Sequence, residues 1–178
     1  MSVLIEYKKI LTDLFMPDLI EEFIENLSLE KLYRQGYRVL FLDVDNTLMT
    51  HEHRQVSLQR AHWIETMKGI GFEIYLLSNN SSERRIRKVC HQLKVEGVYF
   101  ACKPFSYSLK DLADRHQIDL KKSIIIGDQL LKDVVLGNWF EMYTILVNPL
   151  DIRRSFFKTM QRDIELWILD KLSPQISL

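Results

Sequence analysis

The four apolar residues Val39-Leu40-Phe41-Leu42 run straight into Asp43-Val44-Asp45-Asn46-Thr47, and an apolar strand that ends abruptly in two carboxylates restricts the fold. In an open α/β sheet, ligands bind in the crevice just beyond the carboxyl ends of the strands. Asp43 and Asp45 stand at that point. Alternate residues leave a strand on the same side, so the two acids can converge on one reacting group if the chain turns as it leaves the sheet. An Asx-turn with a helix cap is the plainer reading. It weakens because two later strands end in similar chemistry.

The rest of the middle of the chain predicts such a sheet. Short β-rich runs alternate with amphipathic helical patterns, as in βαβ units around parallel strands. Five strands are predicted: Val39 to Leu42, Glu73 to Leu77, Gly97 to Phe100, Ser123 to Ile126 and Tyr143 to Val147. Between them, Ile86, Val89, Cys90 and Leu93 share one helical face, as do Ala61, Ile64 and Met67. Ser57 and Ser81 or Ser82 are placed to cap two of these helices. The expected architecture is a parallel five-stranded α/β sheet flanked by helices. At 178 residues the length suits one domain, with an N-terminal helical segment over about 1–35, a catalytic core over 36–150 and an amphipathic helix over 151–178.

Two flanking stripes stand out. Ile20, Phe23, Ile24 and Leu27 predict an amphipathic N-terminal helix, and Phe156, Met160, Ile164, Trp167 and Ile168 predict another near the C-terminus. Arg153, Arg154, Lys158 and Arg162 sit around the start of the second. Such helices either pack on the core or lie in a headgroup layer. Lys+Arg and Asp+Glu both total 24, so no global basic field recruits nucleic acid, and no RNP, KH or zinc-finger pattern is present. Cys90 and Cys102 form no disulfide framework and point to a reducing compartment. Glu6, Lys8, Lys9 and Asp13 break up any signal-peptide core. The expected location is cytoplasmic, with peripheral contact at the inner face of the membrane if the C-terminal helix docks there.

Chemistry gathers at the other strand ends. Strand Glu73 to Leu77 runs into Ser78-Asn79-Asn80, and a hydroxyl with backbone amides can cradle phosphate oxygens. Lys103-Pro104 follows the third strand, where a cation could balance a phosphate and a nucleophilic carboxylate together. Strand Ser123 to Ile126 ends in Gly127-Asp128, with Asp133 five residues further on. Carboxylates clustered in this way repel unless a hard cation with oxygen ligands neutralises them, which points to magnesium. His51-Glu52-His53 lacks the further ligands that zinc needs. Glu83-Arg84-Arg85 with Arg87-Lys88 reads as a solvated basic face, although Arg84 or Arg85 begins close enough to Ser78-Asn79 to meet a phosphate.

Asp43-Val-Asp45-Asn-Thr47, Ser78-Asn79-Asn80, Lys103-Pro104 and Gly127-Asp128-Gln-Leu-Leu-Lys-Asp133 resemble, in order and spacing, the four motifs of the haloacid dehalogenase (HAD) superfamily. Phe15-Met16-Pro17-Asp18, Gly127-Asp128-Gln129-Leu130-Leu131 and Tyr143-Thr-Ile-Leu-Val-Asn-Pro149 extend the resemblance to the YqeG-type phosphatases of subclass IIIA, over nearly the whole chain. The resemblance implies a Rossmann-like core and a phosphomonoester phosphatase. It makes Asp43 the nucleophile that becomes an aspartyl-phosphate and Asp45 the general acid and base. Magnesium would lie on Asp43, the Asp45 carbonyl and Asp128, with Asp133 supporting. Thr47, Ser78, Asn79 and Lys103 would bind the phosphoryl group. Departures occur at Lys132, where the subgroup commonly has a small hydroxyl residue, and at Glu141-Met142, where it usually has a glycine.

Only Met49 to Val56 separate the first motif from the next helix, and Asn80 to Cys102 hold just a helix and a strand, so no cap domain fits. An open site suits a phosphate on something bulky. The similarity of the YqeG-type group to phosphatidylglycerophosphate phosphatases implies a lipid phosphomonoester. Two other classes share parts of this pattern. A phosphoaspartate receiver domain is disfavoured by the order of the acids, and a non-catalytic scaffold by the presence of both Asp43 and Asp45.

Overall fold

The structure is a computed structural model and describes residues 2–105, 107–151 and 156–172. Six strands, β1 (Leu19–Glu21), β2 (Val39–Leu42), β3 (Glu73–Leu77), β4 (Glu96–Val98), β5 (Ser123–Gly127) and β6 (Tyr143–Val147), form one wholly parallel sheet in the order β1-β6-β5-β2-β3-β4. The parallel α/β sheet matches expectation, with one strand more than expected. Helices α1 (Ser2–Phe15), α2 (Glu30–Arg34), α3 (Leu58–Ile70), α4 (Glu83–Leu93), α5 (Tyr107–His116), α6 (Val135–Trp139) and α7 (Phe156–Leu172) surround it.

The period of two along the strands builds two cores. On one face Leu40, Leu42, Ile74, Leu76, Ile124 and Ile126 pack with Trp63, Ile64 and Met67 of α3 and Ile86, Val89 and Leu93 of α4. On the other, Val39, Phe41, Tyr75, Leu77 and Ile125 pack with Leu109 and Leu112 of α5 and Leu136 of α6. With both faces covered, β2 is buried at all four positions, as parallel strands require. Ser57 and Ser82 cap α3 and α4, accepting from the backbone N–H of Arg60 and Arg85. Gly71 ends α3 in the left-handed region, at φ 116°, with the Tyr33 hydroxyl where a Cβ would stand.

Both ends of the chain correct the sequence reading. The stripe of Ile20, Phe23, Ile24 and Leu27 is not a helix: Leu19–Glu21 is the edge strand β1, followed by a 3-10 turn at Ile24–Asn26. The helix lies earlier, at α1, and stops before Pro17, which disfavours helical conformation in the residue ahead of it. The Asn138 amide then donates to the carbonyls of Leu14 and Met16. The Asp18 carboxylate accepts from the backbone N–H and hydroxyl of Thr144, at 2.7 and 3.0 Å, and these contacts pin β1 beside β6. At the other end α7 forms, and among its described side chains the inner face keeps Ile168 of the predicted stripe but not Ile164 or Trp167. Ile168 and Leu169 pack on Leu130, Val134 and Leu146, while Ile164 and Trp167 are exposed and Glu165 is buried. The reason is polar: the Glu165 carboxylate accepts from the Leu131 N–H and the Gln161 amide. Arg153 and Arg154, expected to dock on a bilayer, lie outside the described residues, as do the side chains of Phe156, Phe157 and Lys158. No helix among the described residues is long and apolar enough to cross a membrane.

The sheet positions the site. From β2 the order runs outward to β3 and β4 on one side and to β5, β6 and β1 on the other, so a crevice opens beyond the carboxyl ends of β2 and β5. Nothing larger than turns and an isolated bridge between Asp45 and Met49 separates β2 from α3, and β3 and β4 are joined through α4 alone.

If Asp18 holds the edge strand, Asp18→Ala should leave the buried Thr144 N–H without its acceptor and lower stability by about 1–3 kcal/mol. Asp18→Asn, which keeps an acceptor, should lose less. Urea unfolding of the three proteins measures this, and an Ala variant as stable as the wild type would contradict it.

Candidate active site

Asp43 is the first residue beyond β2. Its N–H donates to the Ile126 carbonyl at 2.9 Å, so the ladder with β5 extends one residue past the strand and holds the side chain over the crevice. Lys103 reaches it from the loop after β4. The Asn79 side chain fixes that loop from both sides, accepting from the Lys103 N–H at 2.7 Å and donating to the Lys103 carbonyl at 2.9 Å. The buried ammonium then donates to Asp43 Oδ1 and Asp133 Oδ1, both at 2.6 Å. Thr47 donates to the other Asp43 oxygen at 3.3 Å.

Asp133 sits on a π-helical turn, Leu130–Val134, and its second oxygen accepts from the Gln129 N–H. Gly127 makes room for it: a Cβ there would stand 2.2 Å from the Asp133 carboxylate. This close approach is why the strand ends in glycine. Asp128 follows and is also buried. Asp43, Asp128 and Asp133 each present an oxygen within 4.8 Å of the others.

One ammonium cannot offset these charges. Burial raises the Asp43 carboxyl from 3.8 to about 6; Lys103 pulls it down and Asp133 pushes it further up. Burial also opposes the charge on Lys103, but Asp133 and Asp43 outweigh it and hold the ammonium above the ordinary lysine range. The same pair thus keeps its cation firmly while one anion is under strain, because Lys103 is shared between two carboxylates. Three buried oxygen donors with surplus negative charge fit a hard divalent cation.

Asp43, Thr47, Ser78, Lys103, Asp128 and Asp133 are therefore buried together at the carboxyl edge of the sheet. Ser78 follows β3 directly and accepts from the Asn80 N–H at 3.1 Å. Asp45 stands at the rim, turned the other way. Its carboxylate accepts from Asn80 Nδ2 at 2.8 Å and Arg85 Nη2 at 3.0 Å. Arg85 also donates to the carbonyls of Thr50 and His53 and so ties the loop after β2 to α4. Nothing in the sequence marks Asn80 and Arg85 as partners of Asp45 except their place at and just after the Ser78 motif. His51, Glu52 and His53 are exposed, and the one candidate metal cluster among the described residues is the buried acidic trio.

A parallel α/β sheet with paired acids, a hydroxyl, a lysine and a further acid pair at its carboxyl edge defines the HAD class. Residues 100–149 match the family profile described as HAD-hydrolase-like. The chain is similar in fold to an uncharacterized protein from Listeria monocytogenes serotype 4b (TM-score 0.52, 14% identity, 75% of this chain and 99% of that one). It is also similar to the cobalt-bound deoxy-D-mannose-octulosonate 8-phosphate phosphatase of Haemophilus influenzae (TM-score 0.51, 14% identity, 80% and 91%). With the "Probable phosphatase YqeG" of Bacillus subtilis (strain 168) it shares 31% identity over 158 residues, covering 89% of this chain and 91% of the relative. The chain belongs to the YqeG-type phosphatase family of the HAD superfamily.

The raised Asp43 carboxyl makes a pH prediction. Its folded value of about 6 lies above the unfolded 3.8, so its contribution to stability is full below pH 3.8 and is lost as pH rises through 6. In EDTA, the Tm of the wild type should therefore fall relative to Asp43→Asn between pH 4 and 7.5. A gap that stays constant over that range would contradict the electrostatic account.

Proposed function

We propose that the protein hydrolyses a phosphomonoester through a covalent intermediate on Asp43. The observation that carries this reading is the contact of Asp43 with Lys103 and Thr47, which aims one carboxylate at the site where two donors can hold a phosphoryl group. An Asp43 oxygen attacks phosphorus, the bond to the substrate oxygen breaks, and Asp45 gives that oxygen its proton. The Asp45 carboxylate then takes a proton from water, whose oxygen attacks the aspartyl-phosphate and releases inorganic phosphate and Asp43. Lys103, Thr47 and Ser78 bind the phosphoryl oxygens, and Asn79 positions Lys103. Arg85 and Asn80 orient Asp45 between the two half-reactions.

Asp43, Asp128 and the Asp45 backbone carbonyl would hold magnesium, with Asp133 supporting through Lys103. Bound there, the ion would neutralise the acidic surplus and the developing charge on the phosphoryl oxygens.

The open site favours a bulky substrate. Phe100, Phe105 and Tyr107, on and beside the loop that carries Lys103, are exposed. Aromatic side chains at the mouth suit a lipid phosphomonoester presented at a bilayer surface. Phosphatidylglycerophosphate is the leading candidate, and with it goes a cytoplasmic enzyme in peripheral contact with the inner face of the membrane as the proposed location.

A screen of sugar, nucleotide, protein and lipid phosphomonoesters, with inorganic phosphate as readout, tests the reading. Activity should require magnesium, vanish in EDTA and fall by about 100- to 10,000-fold in Asp45→Asn. A loss below about threefold would remove Asp45 from acid-base catalysis.

A further inference from the structure

Two acids of the buried trio, Asp128 and Asp133, come from one short stretch of chain, and α7 holds that stretch from behind. Its π-helical turn, Leu130–Val134, begins after Gln129, whose own side chain makes no capping bond. The first N–H groups of a helical turn find no acceptor within it. Leu131 takes its acceptor from another element: its N–H donates to Glu165 Oε1 of α7 at 3.3 Å. One turn earlier on α7, Gln161 Nε2 donates to the same Glu165 oxygen at 2.8 Å and to Gln129 Oε1 at 3.2 Å. The helix thus grips the chain at residues 129 and 131, between the two acids.

The grip is anchored on both sides. Glu165 is 1% exposed, and a carboxylate so far out of water needs donors around it. Its second oxygen lies 3.9 Å from Arg162 Nη1, and Arg162 Nη2 donates to Asn148 Oδ1 just beyond β6. Ile168 and Leu169 close the contact on Leu130, Val134 and Leu146. Toward the site, the Gln129 N–H donates to Asp133 Oδ2, and the Asp133 N–H donates to the Gln129 carbonyl at 2.8 Å. Gln129 therefore joins α7 to an acid of the cluster.

That attachment works against a repulsion. Oxygens of Asp43, Asp128 and Asp133 lie within 4.8 Å of one another, and Lys103 pairs with only Asp43 and Asp133. Like charges this close push Asp128 and Asp133 away from Asp43 unless their stretch of chain is fixed from outside.

We infer that Glu165 and Gln161 are positioning residues for the metal site: docked α7 keeps Asp128 and Asp133 beside Asp43 and so sets the affinity of the trio for magnesium. The inference rests on the proposed magnesium site and extends it to a helix that touches no reacting atom. When the turn is released, only a fraction of the molecules present the three oxygens together, and the apparent affinity falls by that fraction. Coupling is reciprocal, so magnesium in turn holds α7 down.

Titration calorimetry with magnesium chloride, below the Tm of each protein, compares the wild type with Glu165→Ala, Glu165→Gln and Asp18→Ala. Glu165→Ala should weaken magnesium binding by about tenfold or more. Glu165→Gln keeps an oxygen for the Leu131 N–H and should lose less. Asp18→Ala, which loosens the far edge of the sheet, should bind magnesium as the wild type does. Hydrogen exchange on the wild type supplies an arm that needs no Glu165 variant to fold: magnesium should slow exchange over residues 161–172 as well as 128–134, and Asp128→Asn should abolish both effects. A Glu165→Ala protein that melts lower but binds magnesium unchanged overturns the inference, because the contact then serves stability alone. Equal losses in the two Glu165 variants, an equal loss in Asp18→Ala, or slowed exchange confined to 128–134 also overturn it. No heat and no slowed exchange in the wild type would instead contradict the proposed magnesium site itself.

Discussion

The site depends on one buried ammonium held between two buried carboxylates. Taking charges out of water is costly, and an interior ion pair is tolerated only when its geometry and remaining hydrogen bonds are good. Here Lys103 meets Asp43 and Asp133 at 2.6 Å each. The rest of the local structure serves that contact: the Asn79 amide clamps the backbone of Lys103, Gly127 leaves room for Asp133, and the ladder from Asp43 to Ile126 fixes the first acid. Because three buried acids gather around one lysine, which pairs with only two of them, the cluster keeps a negative surplus, and that surplus is what suits it to a divalent cation.

Around this core the proposed mechanism separates two tasks. The buried cluster at the ends of β2 and β5 would handle the phosphoryl group. Asp45, two residues from Asp43, is held instead by Asn80 and Arg85, where the proposed mechanism puts the departing alcohol. Arg85 also holds the loop that follows β2, so the geometry of the acid and the shape of the rim depend on the same guanidinium. With only α4 between β3 and β4, nothing among the described residues closes over that rim.

Much of this was legible in the chain. Buried parallel strands read as short apolar runs, and Asp43, Ser78, Lys103 and Asp128 each follow one of them closely, so both the strand and its chemical end were visible together. The N-terminal edge strand was not. Leu19–Glu21 is three residues long, too short to show a period of two, while Ile20, Phe23, Ile24 and Leu27 satisfy a helical period by coincidence. What decides the matter is the contact of Asp18 with Thr144, 126 residues away. In α7 the apolar stripe holds at Ile168 and fails at Ile164 and Trp167 for a similar reason: Glu165 is buried because it accepts from the Leu131 N–H, a tertiary hydrogen bond that no periodicity records. The partnership of Arg85 with Asp45 was hidden likewise, since forty residues separate them.

The central claim is that Asp43 is the atom donor to phosphorus. It is tested most directly by acid-quenching the enzyme during magnesium-supported turnover of a phosphomonoester and sequencing its peptides by mass spectrometry. The account predicts a phosphoryl adduct on Asp43 that hydroxylamine removes. An adduct on another side chain, or turnover with no covalent adduct at any quench time, would contradict it.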